Sequence, residues 1–251
     1  MERRSLLVGS LAGAAATAAI ARATQPELER HRSEAKISYA QQGEDLIVEH
    51  LFRVLENPRP SYIDIGAWEP ILNNNTYLLY EQGSRGLLVE PNPYYAERLR
   101  RERPGDLVLT AGIGVTQQAE ADFYIIRGDG QNNTFDKAQA DLIAARLGPQ
   151  AIERVIKMPL VNINDVLAKN FPPGGPHFFS TDVEGLDLEI LQALDFTRFR
   201  PQVIITETMT VDTWELMPEI IELVKAQDYS VRGSTFVNTT FIDNRALKKR
   251  G

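Results

Sequence analysis

The sequence predicts an α/β protein with a doubly wound, mostly parallel sheet. Short apolar segments that suit buried strands alternate with segments of helical periodicity through most of the chain. Several apolar segments end at a carboxylate, and the carboxyl ends of strands are where such sheets bind ligands. Near the end, segments 229–237 and 239–243 predict an antiparallel hairpin. A chain of 251 residues, 43% of them hydrophobic, suits one globular domain of this class.

The segment 61–93 predicts a strand, a glycine turn, a helix and a second strand. The apolar run 62–65 stops at Gly66, and a glycine allows the chain to turn tightly there. The second strand, 86–90, ends in the acidic residue Glu90, roughly twenty positions after the turn. This is the layout of half a Rossmann fold.

The later elements are predicted from the same apolar patterns and from capping residues. Further strands are predicted over 107–111, 122–126, 155–161, 177–182 and 203–206. Helices are predicted within 37–55, 76–83, 94–103, 136–147, 162–170 and 186–194, and from Pro218 onward. The helix 94–103 has a predicted basic outer face that consists of Arg98, Arg100, Arg101 and Arg103.

A polar loop, 128–134, lies between two strands that are expected to pair antiparallel, 122–126 and 155–161. The loop is either a substrate-binding loop beside the ligand crevice or a surface turn.

The carboxylate at the tip of the second strand indicates a ribose-containing ligand. One carboxylate, here Glu90, can accept hydrogen bonds from both ribose hydroxyls, and Asp64 lies at the end of the first strand. The second and third glycines of the pyrophosphate fingerprint are absent, and Glu69 would repel a pyrophosphate. The sequence therefore favours a nucleoside ligand without phosphates, of which S-adenosylmethionine is the common one.

Three motifs follow one another along the chain at believable spacing. They are SYAQQGEDLIV at 38–48, DIGAWEP with the later Asn75-Thr76 and GLLVEPNP within 64–93, and FFSTDVEGLDLEIL at 178–191. Together they resemble the FkbM-type S-adenosylmethionine-dependent methyltransferases, over residues 37–244. The chain departs from that family at Trp68, where a small polar residue, often Asn, is usual. This departure concerns the contacts to the methionine end of the cofactor.

The resemblance implies a Rossmann-like class I methyltransferase fold with seven strands, the last one antiparallel, and S-adenosylmethionine as the cofactor. It further implies methyl transfer to a hydroxyl of a sugar, a glycolipid or a natural product, so a small-molecule or glycan acceptor is the expected partner. The alternative is a nucleoside- or sugar-binding module on the same fold without catalysis, which Trp68 motivates. A nicotinamide-dependent oxidoreductase is a second alternative, and the missing glycines argue against it.

The candidate site residues come from the strand tips and from the motifs. The candidates for cofactor binding are Asp64, Gly66, Ala67, Glu90, Asn92, Gly112 and Glu44. The candidates for a base that removes the proton of an acceptor hydroxyl are Asp182, Glu184 and His177. Asp182 could instead cap the following helix or order its turn, and Glu44 could be an ordinary helix-capping residue.

Composition limits the partners of the chain. A net charge of −7 argues against nucleic acid, because phosphate binding needs a basic surface. The chain has no cysteine, which excludes disulfides and thiolate metal sites. Its three histidines are too scattered to indicate a zinc site, so no metal is expected.

The N-terminal residues differ from the rest of the chain. Arg3-Arg4 precede an uncharged run rich in Ala and Gly, so 1–23 resembles a twin-arginine export signal or a short membrane anchor. It is too short and too weakly apolar for a stable membrane span. Residues 24–36 are predicted to be a charged linker, and 37–251 the methyltransferase domain. A cytoplasmic location is favoured because the cofactor is cytosolic; export or membrane association through 1–23 is the alternative.

Overall fold

The computed structural model describes residues 35–115, 118–128, 130, 132–210, 213 and 215–248. The predicted export-like segment 1–23 and most of the predicted linker 24–36 lie outside the described residues. Contacts divide the chain into two units after Ile37, and the fold that follows is that of the second unit. In the part of the chain that the structure describes, no helix is long and apolar enough to cross a membrane.

The second unit alternates strands and helices. The strands are β1 (Tyr62–Ile65), β2 (Gly86–Val89), β3 (Leu107–Leu109), β4 (Gly112–Gly114), β5 (Glu120–Ile126), β6 (Ile152–Asn162), β7 (Phe178–Thr181), β8 (Val203–Glu207), β9 (Tyr229–Ser234) and β10 (Asn238–Asp243). The helices are α1 (Glu44–Val54), α2 (Tyr77–Glu81), α3 (Pro93–Glu102), α4 (Lys137–Leu147), α5 (Ile163–Asn170), α6 (Asp187–Ala193), α7 (Pro218–Ala226) and α8 (Asn244–Lys248).

The main sheet has the strand order β3-β2-β1-β7-β8-β10-β9. Its pairings are parallel except those of β10, which runs antiparallel to β8 and to β9. The doubly wound, mostly parallel sheet and the terminal antiparallel hairpin are therefore confirmed. The seven strands, with the last one in the chain antiparallel, also confirm the Rossmann-like class I arrangement that the resemblance implies.

A second sheet of three strands has the order β4-β6-β5. The predicted antiparallel pairing of its two long strands, β5 and β6, is confirmed. The predicted third strand over 107–111 is shorter than expected, because β3 ends at Leu109 and the chain then changes sheets. Gly112 pairs with Leu160 of β6, so β4 belongs to the second sheet.

Helices cover both faces of the main sheet, because its strands are apolar on both sides. On one face Ile63 and Ile65 of β1 pack in a cluster with buried residues of α5, α6 and α7. On the other face Tyr62 and Leu88 pack with α1, α2 and α3. Both helix layers leave the carboxyl edge of the sheet open, and this edge carries the candidate site.

Candidate active site

A cavity lies at the carboxyl ends of β1, β2, β7 and β8. Its volume of about 300 Å³ is at the small end of the range for ligand pockets. Of the predicted site residues, those on its wall are Gly66, Glu90, Gly112, Asp182 and Glu184. The structure thus brings together residues that are far apart in the sequence, because parallel strands end at the same edge.

Gly66 forms the tight turn after β1, as predicted. Its φ is +81°, and a Cβ atom at this position would lie 1.9 Å from the backbone oxygen of Asp182. Its N–H donates a 2.9 Å hydrogen bond to the carbonyl of Val89, at the end of β2. A glycine is needed here because the ends of three strands converge on it.

Glu90 is held by two backbone N–H groups. Its Oε2 accepts a hydrogen bond from the amide of Trp68 (2.9 Å), and its Oε1 accepts one from the amide of Asn92 (2.7 Å). The side chain is only 4% exposed, and this burial raises the pKa of Glu90 to about 7. The carboxylate therefore keeps a fixed position at the cavity wall and has lone pairs left for further donors.

Trp68 adopts a left-handed backbone conformation with φ +45°. Its ring packs edge-on against Tyr95 of α3 at a centroid distance of 6.1 Å, and it lines the cavity. Such a conformation favours Gly or Asn over bulky residues. The turn therefore keeps the backbone shape that suits the usual small residue and adds an indole ring to the wall.

A network of buried hydrogen bonds around Arg103 supports the turn that follows β1. Arg103, predicted on the basic outer face of its helix, is instead fully buried and pairs with Asp106 at 2.7 Å. The same guanidinium donates to Asn74 Oδ1 (2.9 Å) and to Thr76 Oγ1 (3.0 Å). The amide of Asn74 in turn donates to the carbonyl of Ala67 (3.1 Å). The end of α3 thereby fixes the turn that follows β1.

Several predicted cofactor-binding residues lie behind the cavity wall rather than on it. Asp64 is buried and accepts a hydrogen bond from Thr76 Oγ1 at 2.8 Å, and burial raises its pKa. Ala67 is buried in the core on the α1 side of the sheet. Asn92 caps α3 by accepting the amide N–H of Tyr94. These three residues support the site without lining it.

Glu44 also does not line the cavity, because it is the first residue of α1 and is fully buried against the terminal hairpin. Its Oε1 accepts hydrogen bonds from Thr235 Oγ1 (2.8 Å) and from Asn238 Nδ2 (3.2 Å). Its Oε2 accepts the amide N–H of Gln42. Glu44 therefore binds the hairpin and holds Asn238, which itself lines the cavity.

His177 does not belong to the site. It precedes β7, so it lies at the amino end of a strand whose carboxyl end meets the cavity. Its Nδ1 is 2.8 Å from the hydroxyl of Ser61, at the start of β1, and burial lowers its pKa. The prediction of His177 as a base came from its proximity to Asp182 in the sequence. The two side chains are separated by the length of β7.

Three further acidic side chains line the cavity: Asp182, Glu184 and Glu207. Their carboxylates accept no hydrogen bond from any described residue. Burial is the first cause of their raised pKa values, about 7 for Asp182, about 8 for Glu184 and about 10 for Glu207. Repulsion by neighbouring carboxylates is the second cause, and Asp187 is among these neighbours for all three residues.

Asp187, rather than Asp182, orders the turn after β7. Its carboxylate accepts hydrogen bonds from Thr181 Oγ1 (2.8 Å) and from the amide of Val183 (3.3 Å). Glu184 occupies this turn with φ +55°, a left-handed conformation that is uncommon for residues with a side chain. The role of ordering the turn, which the sequence allowed for Asp182, therefore belongs to Asp187.

Several residues on the wall are not among the predicted site residues. They are Gln41, Asn73, Asn75, Gly130, Asn132, Asn133, Phe135 and Asn238, among others. The polar composition of the loop 128–134 is the signal that marks it as a candidate in the sequence. Asn238 carries no such signal, since it begins an ordinary strand of the terminal hairpin.

Residues 64–231 match the family model of the methyltransferase FkbM domain. The chain belongs to the FkbM methyltransferase family. It is therefore an S-adenosylmethionine-dependent methyltransferase, and the family and cofactor that the motifs implied are confirmed. No curated protein matches this FkbM methyltransferase.

The FkbM methyltransferase is also similar to solved structures at low identity. One is a TehB-like methyltransferase from Corynebacterium glutamicum, with 11% identity, a TM-score of 0.43 and coverage of 89% of this chain and 99% of that chain. Another is the 1,6-didemethyltoxoflavin-N1-methyltransferase of Burkholderia thailandensis, with 11% identity, a TM-score of 0.41 and coverage of 92% and 88%. A third is an O-methyltransferase from Bacillus cereus, with 10% identity, a TM-score of 0.41 and coverage of 86% and 87%.

The cavity of this FkbM methyltransferase suits its cofactor. Glu90 has a buried carboxylate in a fixed position that would accept hydrogen bonds from the ribose, and Gly112 with the neighbouring Ile113 would form an apolar wall for the adenine. Asn73 and Asn75 offer polar groups beside the turn after β1. These residues would hold the cofactor in the cavity that Asp182 also lines.

Proposed function

We propose that this methyltransferase methylates a hydroxyl of a small-molecule or glycan acceptor, with Asp182 as the base. One observation carries the proposal: Asp182 presents a carboxylate to the cavity that accepts no hydrogen bond from the described residues and has a pKa raised to about 7. A general base is most effective when its pKa lies near the working pH.

Bound S-adenosylmethionine supplies an activated methyl group and leaves as a neutral thioether after in-line displacement. The protein has two remaining tasks, which are to align the acceptor and to remove its proton. Asp182 takes the hydroxyl proton as the acceptor oxygen forms its bond to the methyl carbon. Glu184 and Glu207, which line the cavity near Asp182, hold the acceptor.

A comparison of Asp182 with Asp187 supports the proposal, because only Asp187 is engaged in structural hydrogen bonds among the described residues. Asp187 is engaged by a hydroxyl and a backbone N–H, and it keeps the turn in shape. Asp182 has no such structural hydrogen bond, although its carboxylate is partly buried at the site. A partly buried acid without a structural partner fits a role in chemistry.

The proposal is tested by measuring S-adenosylhomocysteine formation with a panel of alcohols, sugars, amines, thiols and carboxylic acids. Product analysis by mass spectrometry and NMR should locate the new methyl group on oxygen. Methylation on nitrogen or sulfur alone would contradict the proposal. Tight cofactor binding without methylation of any compound would favour a binding module without catalysis.

A further inference from the structure

One wall of the cavity consists of hydrogen-bond acceptors from three adjacent strands. Glu207 of β8 is in register with Asn238 of β10. Thr181 of β7 pairs with Thr206, so Asp182 comes next to Glu207. Residues opposite each other on neighbouring strands project from the same face of a sheet. Asp182, Glu207 and Asn238 therefore form a row, and all three line the cavity.

Asn238 supplies an acceptor that the protein itself does not satisfy. The residue is 2% exposed, and its Nδ2 donates to Glu44 Oε1 at 3.2 Å. Its Oδ1 is buried and has no hydrogen-bond partner among the residues that the structure describes. Because Glu44 fixes the orientation of the amide, the oxygen is left for a ligand with donor groups.

The wall is acidic, and no basic side chain among its described residues offsets the carboxyl groups. Among the described residues that line the cavity there is no Lys, Arg or His. Glu207 faces Asp182, Glu184 and Asp187, which repel it, and burial with this repulsion raises its pKa to about 10. Bound S-adenosylmethionine has a net charge of +1, so it cannot neutralise all of the acidic groups on the wall. The wall thus disfavours phosphate and carboxylate groups on the acceptor.

An ammonium group is the cation whose hydrogen-bond donors match this wall. The described residues include no group of three acidic or histidine side chains arranged to hold a metal ion. An ammonium group has three N–H donors and no acceptor, so it matches a wall of carboxylates and an amide oxygen. Hydrogen bonds between an ammonium group and a carboxylate are also stronger than neutral ones.

We propose that the acceptor is an amino alcohol or amino sugar whose ammonium group binds to Glu207, Asn238 and Glu184 while a nearby hydroxyl faces Asp182. This inference rests on the proposed function and names its substrate class. Glu207 is then a residue that determines specificity and takes no part in proton removal. An ammonium group needs ionised carboxylates, so its binding releases protons from carboxyl groups that are neutral near pH 7.

The test uses two matched probes on the full-length protein saturated with S-adenosylhomocysteine. The probes are trans-2-aminocyclohexanol, which is a cation at neutral pH, and trans-cyclohexane-1,2-diol, which is neutral. Titration calorimetry in two buffers of different ionisation enthalpy measures affinity and proton release together. We expect at least tenfold tighter binding of the amino alcohol, with proton release for this probe alone.

Variants test whether the acidic residues of the wall cause the preference for the amino alcohol. Glu207→Gln keeps the size of the side chain, and we expect it to remove most of the tenfold preference while affinity for S-adenosylhomocysteine is unchanged. Glu184→Gln provides a second variant if the first fails to fold. Glu219→Gln makes the same substitution on the exposed side of α7, away from the cavity, and should keep the preference.

Equal affinity for both probes, tighter binding of the diol, or no binding of the amino alcohol would overturn the inference. Retention of the preference in both Glu207→Gln and Glu184→Gln would also overturn it. Failure of the wild-type protein to bind S-adenosylhomocysteine would instead overturn the proposed function, so the two failures are distinguishable.

Discussion

The amide of Trp68 donates a 2.9 Å hydrogen bond to Glu90 Oε2 and so joins the turn after β1 to the tip of β2. The bond depends on the left-handed backbone of Trp68, with φ +45°. The other carboxylate oxygen is held by the amide of Asn92. Because both N–H groups are in place before a ligand arrives, the carboxylate does not reorganise when the ribose binds.

We expect Glu90→Gln to weaken cofactor binding at least tenfold. The change replaces charge-assisted hydrogen bonds, each contributing about 1.5–3 kcal/mol, by neutral ones and turns an NH₂ group toward a backbone N–H. Titration calorimetry with S-adenosylhomocysteine measures the effect. Glu97→Gln, on the exposed side of α3, is the control and should bind normally. Unchanged affinity in Glu90→Gln would remove Glu90 from the cofactor site.

We expect Asp182→Asn to lower turnover by roughly 10²–10⁴ with little change in cofactor affinity or melting temperature. Asparagine keeps the size of the side chain but cannot take a proton. Asp187→Asn is the matched comparison, because Asp187 orders the turn through Thr181 and Val183. It should lower the melting temperature. Near wild-type turnover in Asp182→Asn would redirect the search for the base to Glu184.

We expect the ligand-free protein to lose stability as the pH rises from about 5 to 8. Burial raises the pKa values of Glu90 and Asp182 to about 7 and that of Glu184 to about 8. These values exceed those of the unfolded chain, so the folded state holds more protons in this window and stability falls with pH.

Thermal melts across this pH range measure the loss of stability, and a loss of about 1 kcal/mol lowers the melting temperature by roughly 2–4 °C for a domain of this size. Glu184→Gln should flatten the decline, because one of the titrating groups is then absent. A melting temperature that rises with pH in the wild-type protein would show that these carboxyls titrate normally.

We expect Gly66→Ala to destabilise the protein by more than about 3 kcal/mol or to prevent folding. The new Cβ would lie 1.9 Å from the backbone oxygen of Asp182, and neither backbone can move without disturbing a strand end. Gly174→Ala is the control, because Gly174 also has a positive φ, +99°, but an alanine methyl group there would have nothing within 4 Å.

The control should lose only about 1 kcal/mol, the usual cost of a left-handed backbone at a residue with a side chain. Denaturant unfolding compares the two variants directly. Similar losses in both would mean that backbone conformation, and not the close approach to Asp182, explains the glycine at position 66.

We expect Arg103→Met to destabilise the protein by roughly 3–5 kcal/mol, because it leaves Asp106 buried without its cation. Arg101→Met, on the exposed side of the same helix, should change stability by less than about 0.5 kcal/mol. Chemical denaturation of both variants checks the difference. If Arg103→Met is as stable as the control, Arg103 does not support the turn.

The alternation of apolar strand segments and helical segments in the sequence was sufficient to predict the doubly wound sheet. It also predicted the sheet edge where Gly66, Glu90 and Asp182 meet. This succeeded because strand period, helix period and the position of strand ends are local properties of the chain. The carboxyl ends of parallel strands share an edge, so residues far apart in sequence could be brought to one site without a structure.

The partners of individual side chains were decided only by the tertiary structure. The sequence predicts Arg103 on the exposed face of a basic helix, yet it is buried. Its neighbour Asp106 pairs with it, and Asn74 and Thr76 reach it from a distant segment of the chain. His177 and Asp182 are close in sequence, but an extended strand places them at opposite edges of the sheet. Glu207 meets Asn238 through the register of β8 with β10, which long-range packing determines and local sequence does not.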